Sequence, residues 1–270
     1  MPALDVPGAR LNYRLDGPAE APVIVLANSL GTALAVWDGQ IAVLARTFRV
    51  LRYDMRGQGA SSVSTLPVDV PTLAGDVLAL LDATQAATAH FLGLSLGGMV
   101  GLWLGIHKPE RLKTLMVANT AALIGTRAAW DARIELIGKA GMDAIVETVL
   151  DRWVTPGFRA RAPERVESLR RMLLEANRAG YIAACAAVRD VDLRGSAAEV
   201  RVPTLVITGD MDTATPPSDG RWLAQRIPGA RHIELEAAHL SNVEAEPAFN
   251  HGVVGFLSTQ GETRWTNGND

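Results

Sequence analysis

The sequence of 270 residues contains one cysteine, Cys185. A single cysteine cannot form an internal disulfide, which excludes the disulfide-stapled secreted classes and fits a reducing compartment. No apolar run approaches the ~20 residues that a membrane-spanning helix needs. The first ten residues lack the basic start and apolar core of a secretory signal. Together these absences predict a soluble, cytoplasmic protein without a membrane partner.

The chain also lacks a large excess of charge of either sign. Lys and Arg number 26 against 29 Asp and Glu, a net charge of −3, so nucleic acid is not expected as a partner. Four histidines, His90, His107, His232 and His251, have no second histidine or cysteine at ligand spacing, and no metal site is expected. The composition leaves the oligomeric state open.

The chain is rich in short apolar runs that alternate with amphipathic stretches. Runs of this length with β-branched residues are typical of strands, most of them buried on both faces. The predicted strands span residues 10–15, 22–27, 48–53, 89–92, 112–118, 203–209 and 230–235. Alternation of strand and helix predicts an α/β fold, with a mainly parallel, twisted sheet and helices on both faces.

The alternation stops between residues 122 and 190, where only helical stretches follow one another. They span residues 128–139, 142–153, 163–177 and 180–189 and are separated by Gly141, Thr155-Pro156-Gly157 and Ala179-Gly180. An all-helical insertion of this kind predicts a cap that excludes water and shapes a pocket. The predicted organisation is a core of residues 1–121 and 191–257, a cap of residues 122–190, and a disordered polar tail of residues 258–270.

The sequence G-L-S-L-G at residues 93–97 lies between a predicted strand and an apolar helix over residues 98–107. G-x-S-x-G in this setting is the nucleophile elbow, a turn so tight that only small residues fit two positions before and after the serine. The start of the helix offers free N–H groups to a developing oxyanion. Ser95 is therefore the candidate nucleophile; a glycine-rich turn with an incidental serine is the alternative.

Two later loops supply partners for Ser95. Asp210 and Asp212 follow the strand at 203–209, and His239 follows the strand at 230–235. The carboxyl ends of parallel strands share one edge of a sheet, so these loops can converge. Histidine suits the general base, and an acid orients it. Asp212 is preferred to Asp210 because strand-Gly-x-x-Asp resembles the usual acid position, and the order Ser, Asp, His is that of the α/β-hydrolases.

In the α/β-hydrolases that this order resembles, two backbone amides form the oxyanion hole. They belong to the residue after the nucleophile, here Leu96, and to the loop after an early strand, here Leu30; an ordinary strand-to-helix turn is the alternative for that loop.

The D-x-R-G-x-G-x-S segment at residues 54–62 is interpreted as architectural, with Asp54 and Arg56 paired across the turn.

Beyond these features, the chain resembles the 3-oxoadipate enol-lactonases of the β-ketoadipate pathway for aromatic degradation. The matching stretches extend from about residue 10 to residue 257 and are Asn28-Ser29-Leu30-Gly31-Thr32 with Trp37, Arg52-Tyr53-Asp54, Gly93-Leu94-Ser95, Ala118-Asn119-Thr120-Ala121, Trp130 with Arg133, Arg152-Trp153, Gly180-Tyr181 and Ala238-His239-Leu240-Ser241-Asn242. Several lie in the cap, which usually diverges first between hydrolases. The family more often has methionine at the position of Leu96 and histidine at the position of Gln58.

The resemblance implies hydrolysis of a five-membered enol-lactone that carries a carboxymethyl group. Ser95 would attack the ring carbonyl while His239 takes its proton, with the oxyanion against the amides of Leu30 and Leu96. Water activated by His239 would then release 3-oxoadipate. No metal or organic cofactor is required.

An anionic substrate needs a local cation in a protein of net negative charge. Arg133, one helical turn from Trp130, is the first candidate, because a guanidinium binds a carboxylate through two parallel hydrogen bonds; a solvated cap arginine is the alternative. Trp130 and Trp153 are candidates for the pocket wall, or they belong to the core.

A broad carboxylesterase, a cofactor-free perhydrolase and a ligand-sensing hydrolase are the alternative functions, since they share the triad.

Overall fold

The computed structural model describes residues 2–260 of the chain. Eight strands form one sheet in the order β1-β2-β4-β3-β5-β6-β7-β8. They are β1 (Ala3–Val6), β2 (Ala9–Asp16), β3 (Val23–Ala27), β4 (Arg49–Tyr53), β5 (Ala89–Leu94), β6 (Leu112–Ala118), β7 (Thr204–Gly209) and β8 (Arg231–Leu235). β1 and β2 pair in antiparallel fashion, as do β2 and β4, and every pair from β4 to β8 is parallel. The predicted mainly parallel sheet is confirmed.

Helices follow most of the strands. They are α1 (Asp38–Leu44), α2 (Val70–Ala83), α3 (Leu96–His107), α4 (Arg127–Ala140), α5 (Val146–Trp153), α6 (Pro156–Arg161), α7 (Pro163–Leu174), α8 (Arg178–Asp190), α9 (Pro217–Arg226), α10 (Ser241–Glu244) and α11 (Glu246–Ser258). Every residue of β3, β5 and β7 is buried, as the unbroken apolar runs predict for central strands. The five helices α4–α8 lie between β6 and β7 and form the helical cap.

Four elements were not predicted from the sequence: β1, α1, α6 and α10. The triplet at residues 155–157, interpreted as a break, is the start of α6. Thr155 is its N-cap, with Oγ1 accepting a hydrogen bond from Phe158 N at 3.1 Å, and Pro156 is the first helical residue. Proline and a hydroxyl residue favour helix starts as well as turns, so the same residues fit both interpretations. The helix predicted over residues 142–153 begins with a 3₁₀ turn, Met142–Ile145, before α5.

The predicted pairing of Asp54 with Arg56 is wrong. Arg56 instead holds Asp76 of α2 through two contacts, Nη2–Oδ1 at 2.5 Å and Nε–Oδ2 at 2.6 Å. Asp54 accepts hydrogen bonds from Asn12 Nδ2 at 2.7 Å and Leu34 N at 2.7 Å. A fully buried carboxylate such as that of Asp76 needs a bidentate cationic partner, and the long arginine side chain reaches it.

The helices between residues 2 and 260 include none that is long and apolar enough to cross a membrane. The predicted polar tail of residues 258–270 lies outside the described residues from residue 261 onward, and Ser258 is the last residue of α11.

Candidate active site

Ser95 stands at the turn between β5 and α3 with φ of 55° and ψ of −112°. A positive φ is strained for a residue with a side chain and is typical of a nucleophile elbow. A Cβ on Gly93 would lie 2.1 Å from Gly97 O, and a Cβ on Gly97 would lie 2.2 Å from Ala27 O. Both positions therefore require glycine, which is the constraint behind the G-x-S-x-G pattern.

Asp212 and His239 are in direct contact. His239 Nδ1 lies 2.8 Å from Asp212 Oδ2, which also accepts hydrogen bonds from Thr215 Oγ1 at 2.7 Å and Asn119 Nδ2 at 3.1 Å. The other oxygen, Oδ1, accepts from Ala214 N at 2.8 Å and Thr215 N at 3.0 Å. Burial acts to raise the pKa of Asp212, but His239 and the two hydrogen bonds from Thr215 lower it to about 2. The carboxylate is therefore charged at the pH where a histidine base is neutral.

The competing acid, Asp210, does not reach the histidine. Its side chain is exposed and accepts a hydrogen bond from Ala237 N at 3.1 Å. The structure thus brings Asp212 and His239 together and leaves Asp210 apart.

Ser95 and His239 line one cavity of about 330 Å³ beneath the cap. Within the described residues, Ser95 Oγ makes no hydrogen bond. Leu30, Trp130, Arg133 and Trp153 line the same cavity, whereas Asp212 and Leu96 do not.

Two amides beside Ser95 are free to bind an oxyanion. Leu96 is the first residue of α3, so its N–H has no acceptor within the helix. In the part of the chain that the structure describes, the Leu30 amide donates no hydrogen bond, whereas the next amide, Gly31 N, donates to Gln58 Oε1 at 2.6 Å. The loop that carries Leu30 is joined to the elbow by a hydrogen bond from Gly97 N to Asn28 O at 3.0 Å.

Arg133 lies between two aromatic rings at the cavity wall. Its Cζ atom is 5.5 Å from the ring centroid of Trp130 and 5.6 Å from that of Tyr181. Its Nε is buried without a hydrogen-bond partner, and no carboxylate of residues 2–260 forms an ion pair with it. Burial raises the pKa of Tyr181, so the phenol beside Arg133 is neutral. Arg133 therefore presents an uncompensated positive charge to the cavity.

Arg152 lines the same cavity and likewise forms no ion pair with a described carboxylate. Most other arginines of the cap hold acidic side chains: Arg127 with Asp190, Arg159 with Glu147 and Asp151, Arg165 with Glu246, Arg170 with Glu147, and Arg189 with Asp131. Arg133 and Arg152 thus bring unpaired positive charge to the cavity; Arg161, Arg171 and Arg178 also have no acidic partner among the described residues but lie outside it.

Comparison with known proteins gives the family. The α/β hydrolase fold model matches residues 22–140. The chain is 44% identical over 247 residues to 3-oxoadipate enol-lactonase 2 of Acinetobacter baylyi, with 92% of each chain covered. The chain belongs to the enol-lactonase family of α/β hydrolases. Membership confirms the resemblance and the hydrolase class inferred from the sequence.

Two further relatives agree with this assignment to the enol-lactonases. The chain is 36% identical to 3-oxoadipate enol-lactonase 1 of Acinetobacter baylyi, covering 93% of this chain and 94% of the relative. The crystal structure of the enol-lactonase from Burkholderia xenovorans LB400 superposes with a TM-score of 0.94 at 43% identity, covering 95% of this chain and 100% of that chain. The cap is therefore shared with this relative along with the core.

Three polar residues of this enol-lactonase family member were not assigned a role in the site from its sequence. Asn119 and Thr215 both donate to Asp212, and Ser241 Oγ donates to Asn119 Oδ1 at 2.5 Å. Asn119 directly follows β6 with φ of 46° and is fully buried. Asn119 follows a central strand, as the loops of Ser95, Asp212 and His239 follow theirs, and this placement is the sequence signal that could have marked it.

Proposed function

We propose that the protein hydrolyses 3-oxoadipate enol-lactone to 3-oxoadipate in the β-ketoadipate pathway, through an acyl-enzyme on Ser95. The observation that carries the proposal is the cavity that Ser95 and His239 share with two arginines, Arg133 and Arg152, that have no acidic partner among the described residues. A serine nucleophile beside uncompensated positive charge suits an ester or lactone whose other end is a carboxylate. The choice of substrate in this proposal rests on the relatives that are named 3-oxoadipate enol-lactonases.

In the acylation step, Ser95 Oγ attacks the ring carbonyl and His239 Nε2 accepts its proton. Asp212 holds Nδ1–H and stabilises the imidazolium that forms. The carbonyl oxygen becomes an oxyanion that accepts hydrogen bonds from the amides of Leu30 and Leu96. The ring C–O bond then breaks and the enol oxygen receives the proton from His239. Tautomerisation of the enol to a ketone removes the group that could close the ring again.

In the deacylation step, His239 takes a proton from water, which attacks the acyl carbon on Ser95. The same two amides stabilise the second oxyanion. Collapse of this intermediate returns the proton to Ser95 Oγ and releases 3-oxoadipate. Each bond is made and broken by groups of the chain and water, so the route needs no cofactor.

The substrate carboxylate is assigned to Arg133, with Arg152 as a second cation at the same cavity. Trp130 Nε1 donates to Ile124 O at 2.7 Å, which fixes the ring against which the Arg133 guanidinium packs. Stacking leaves the edge of a guanidinium free to donate two parallel hydrogen bonds. Trp153, which is buried at the cavity wall, supplies an apolar surface for the lactone ring.

The cap of residues 122–190 thus carries the recognition of the anion, and the core of residues 1–121 and 191–257 carries the chemistry. Two backbone hydrogen bonds join the cap to the His239 loop, from His239 N to Arg152 O at 3.2 Å and from Leu240 N to Trp153 O at 2.8 Å. The single cysteine fits the reducing cytoplasm as the site of this reaction.

Replacing each cavity arginine tests the proposal. Arg133→Ala and Arg152→Ala should each raise KM for the enol-lactone by about tenfold, the loss of a charge-assisted hydrogen bond, and leave KM for neutral p-nitrophenyl acetate within about twofold. Arg127→Ala is the matched control, since Arg127 is exposed and paired with Asp190. Steady-state kinetics on both substrates gives the answer; equal effects on lactone and ester would contradict recognition of the carboxylate.

A further inference from the structure

Gln58 belongs to the segment of residues 54–62 that the mechanism does not use. Its side chain is 1% exposed, and Oε1 accepts the hydrogen bond from Gly31 N at 2.6 Å. Gly31 directly follows Leu30, whose amide is assigned to the oxyanion hole. We propose that Gln58 is a positioning residue that holds the Leu30 amide toward the oxyanion. This inference rests on the proposed function and names a further residue for the same site.

The orientation of the Gln58 amide follows from its contacts. Rotation by 180° would set Nε2 against Gly31 N–H, donor against donor, so Oε1 is the atom that faces Gly31. Nε2 is buried and has no partner among the described protein groups. A buried donor without a protein partner is costly, and a leucine of similar size would avoid that cost. The acceptor is therefore the feature that this position contributes.

The backbone of Gln58 is held by hydrogen bonds within its own segment. Gln58 N donates to Met55 O at 2.9 Å, and Ser61 N donates to Gln58 O at 3.0 Å. Gly57, with φ of 71°, lies so close to the cap that a Cβ on it would be 2.4 Å from Gly180 Cα. The backbone of Gln58 is thus held by contacts that do not involve the loop that carries Leu30.

Gly31 is held from its other side by the cap. With φ of 79°, it lies so close to Tyr181 that a Cβ on it would be 2.8 Å from Tyr181 Cε2. The same tyrosine ring stacks with the Arg133 guanidinium. Gly31 therefore lies between Gln58 and the wall of the carboxylate site, in a turn that Thr32 N closes by donating to Ser29 O at 3.2 Å. Among the described residues, the bond to Gln58 is the hydrogen bond that the Gly31 amide itself donates.

The expected consequence is a loss of kcat without a loss of substrate binding. The oxyanion exists only at the reacting centre, so a displaced Leu30 amide weakens the transition state and leaves Arg133 and its aromatic neighbours unchanged. Both a lactone and a neutral ester pass through that oxyanion. The defect should therefore appear with both substrates and by the same factor.

Three variants test the inference. Gln58→Leu removes the acceptor. Gln58→His replaces the acceptor with an imidazole nitrogen, which is neutral at pH 8 and can accept a hydrogen bond from Gly31 N. Gln225→Leu is the control, because it makes the same substitution on an exposed residue of α9. For each, kcat and KM are measured with enol-lactone and p-nitrophenyl acetate. Rates are divided by the concentration of active sites, titrated with a phosphonate that labels Ser95, so that misfolded protein does not lower them.

We expect Gln58→Leu to lower kcat about tenfold to a hundredfold on both substrates, somewhat less than deletion of an oxyanion donor, with KM for the lactone within about twofold. Gln58→His should recover most of the loss, and Gln225→Leu should match the unmodified protein. A kcat for Gln58→Leu equal to that of Gln225→Leu, or no recovery with histidine, would overturn the inference. Failure of the unmodified protein to open the lactone would instead refute the proposed substrate, and the ester data would still decide the role of Gln58.

Discussion

Single residues of the site owe their chemistry to hydrogen bonds that come from distant parts of the chain. Asp212 lies in the loop after β7, yet one of its oxygens is shared by His239 from the loop after β8 and Asn119 from the end of β6. Thr215 adds a hydroxyl from within the same loop. His239 and Thr215 favour the charged carboxylate and hold the pKa of Asp212 at about 2 in spite of burial.

Asp212→Asn should lower kcat on the order of 10⁴-fold on lactone and ester alike, because an amide cannot hold the imidazole in the tautomer that accepts the Ser95 proton. Asp210→Asn is the matched control in the same loop and should leave kcat within about twofold, since the hydrogen bond that its side chain makes among the described residues is to the Ala237 amide. Steady-state rates of the two variants decide between the acids. Comparable losses in both would contradict the assignment of Asp212.

At the scale of elements, the sheet places the loops of Ser95, Asp212 and His239 at one edge, and hydrogen bonds fasten the cap to that edge. The buried Glu244, the last residue of α10, makes the connection. Its carboxylate accepts hydrogen bonds from Thr155 Oγ1, from Thr155 N at 3.1 Å and from Ala238 N at 3.0 Å. Thr155 caps α6, and Ala238 precedes His239, so the side chain of Glu244 joins the cap to the loop that carries His239.

Glu244→Gln should lower the free energy of unfolding by about 1–3 kcal/mol, because the NH₂ group of an amide turns a donor toward a buried N–H and leaves both unsatisfied. Glu246→Gln, two residues away, should cost under about 1 kcal/mol, since Glu246 pairs with the exposed Arg165. Urea denaturation of the two variants measures the difference. Equal losses would show that the bonds of Glu244 do not fasten the cap.

The elements that the sequence predicted well are those with unbroken apolar runs. The central strands β3, β5 and β7 were found within one or two residues of their ends, because burial on both faces leaves a continuous signal. β1 and α6 are too short to show a period, and Thr155 with Pro156 fits a turn as well as a helix start.

The residues of the candidate site likewise divide into those that a local sequence pattern marks and those that it does not. Ser95 and His239 follow predicted strands in loops of recognisable pattern, so the sequence alone identified them as candidate site residues. Gln58 and Glu244 contact residues 27 and 89 positions away, and no local pattern marks such pairs. The wrong pairing of Asp54 with Arg56 has this cause, since sequence proximity was the only guide to the partner of a long side chain.

For the whole molecule, the division of charge matters more than its total. The net charge is −3, yet the cap pairs half of its arginines with acids and leaves Arg133 and Arg152, at the cavity, without an acidic partner among the described residues. A negative protein thereby offers a local positive site to an anion. In the proposed mechanism the core contributes the nucleophile, base and oxyanion amides and the cap contributes the cations, so we expect both parts to be needed for selective hydrolysis.

The most direct test of this account is kcat/KM for freshly generated 3-oxoadipate enol-lactone beside p-nitrophenyl acetate, in the unmodified protein and in Ser95→Ala. The account predicts that the lactone exceeds the ester by several orders of magnitude and that Ser95→Ala abolishes turnover of both. Preference for the ester with the lactone left intact would contradict the account, even if Ser95 proved essential.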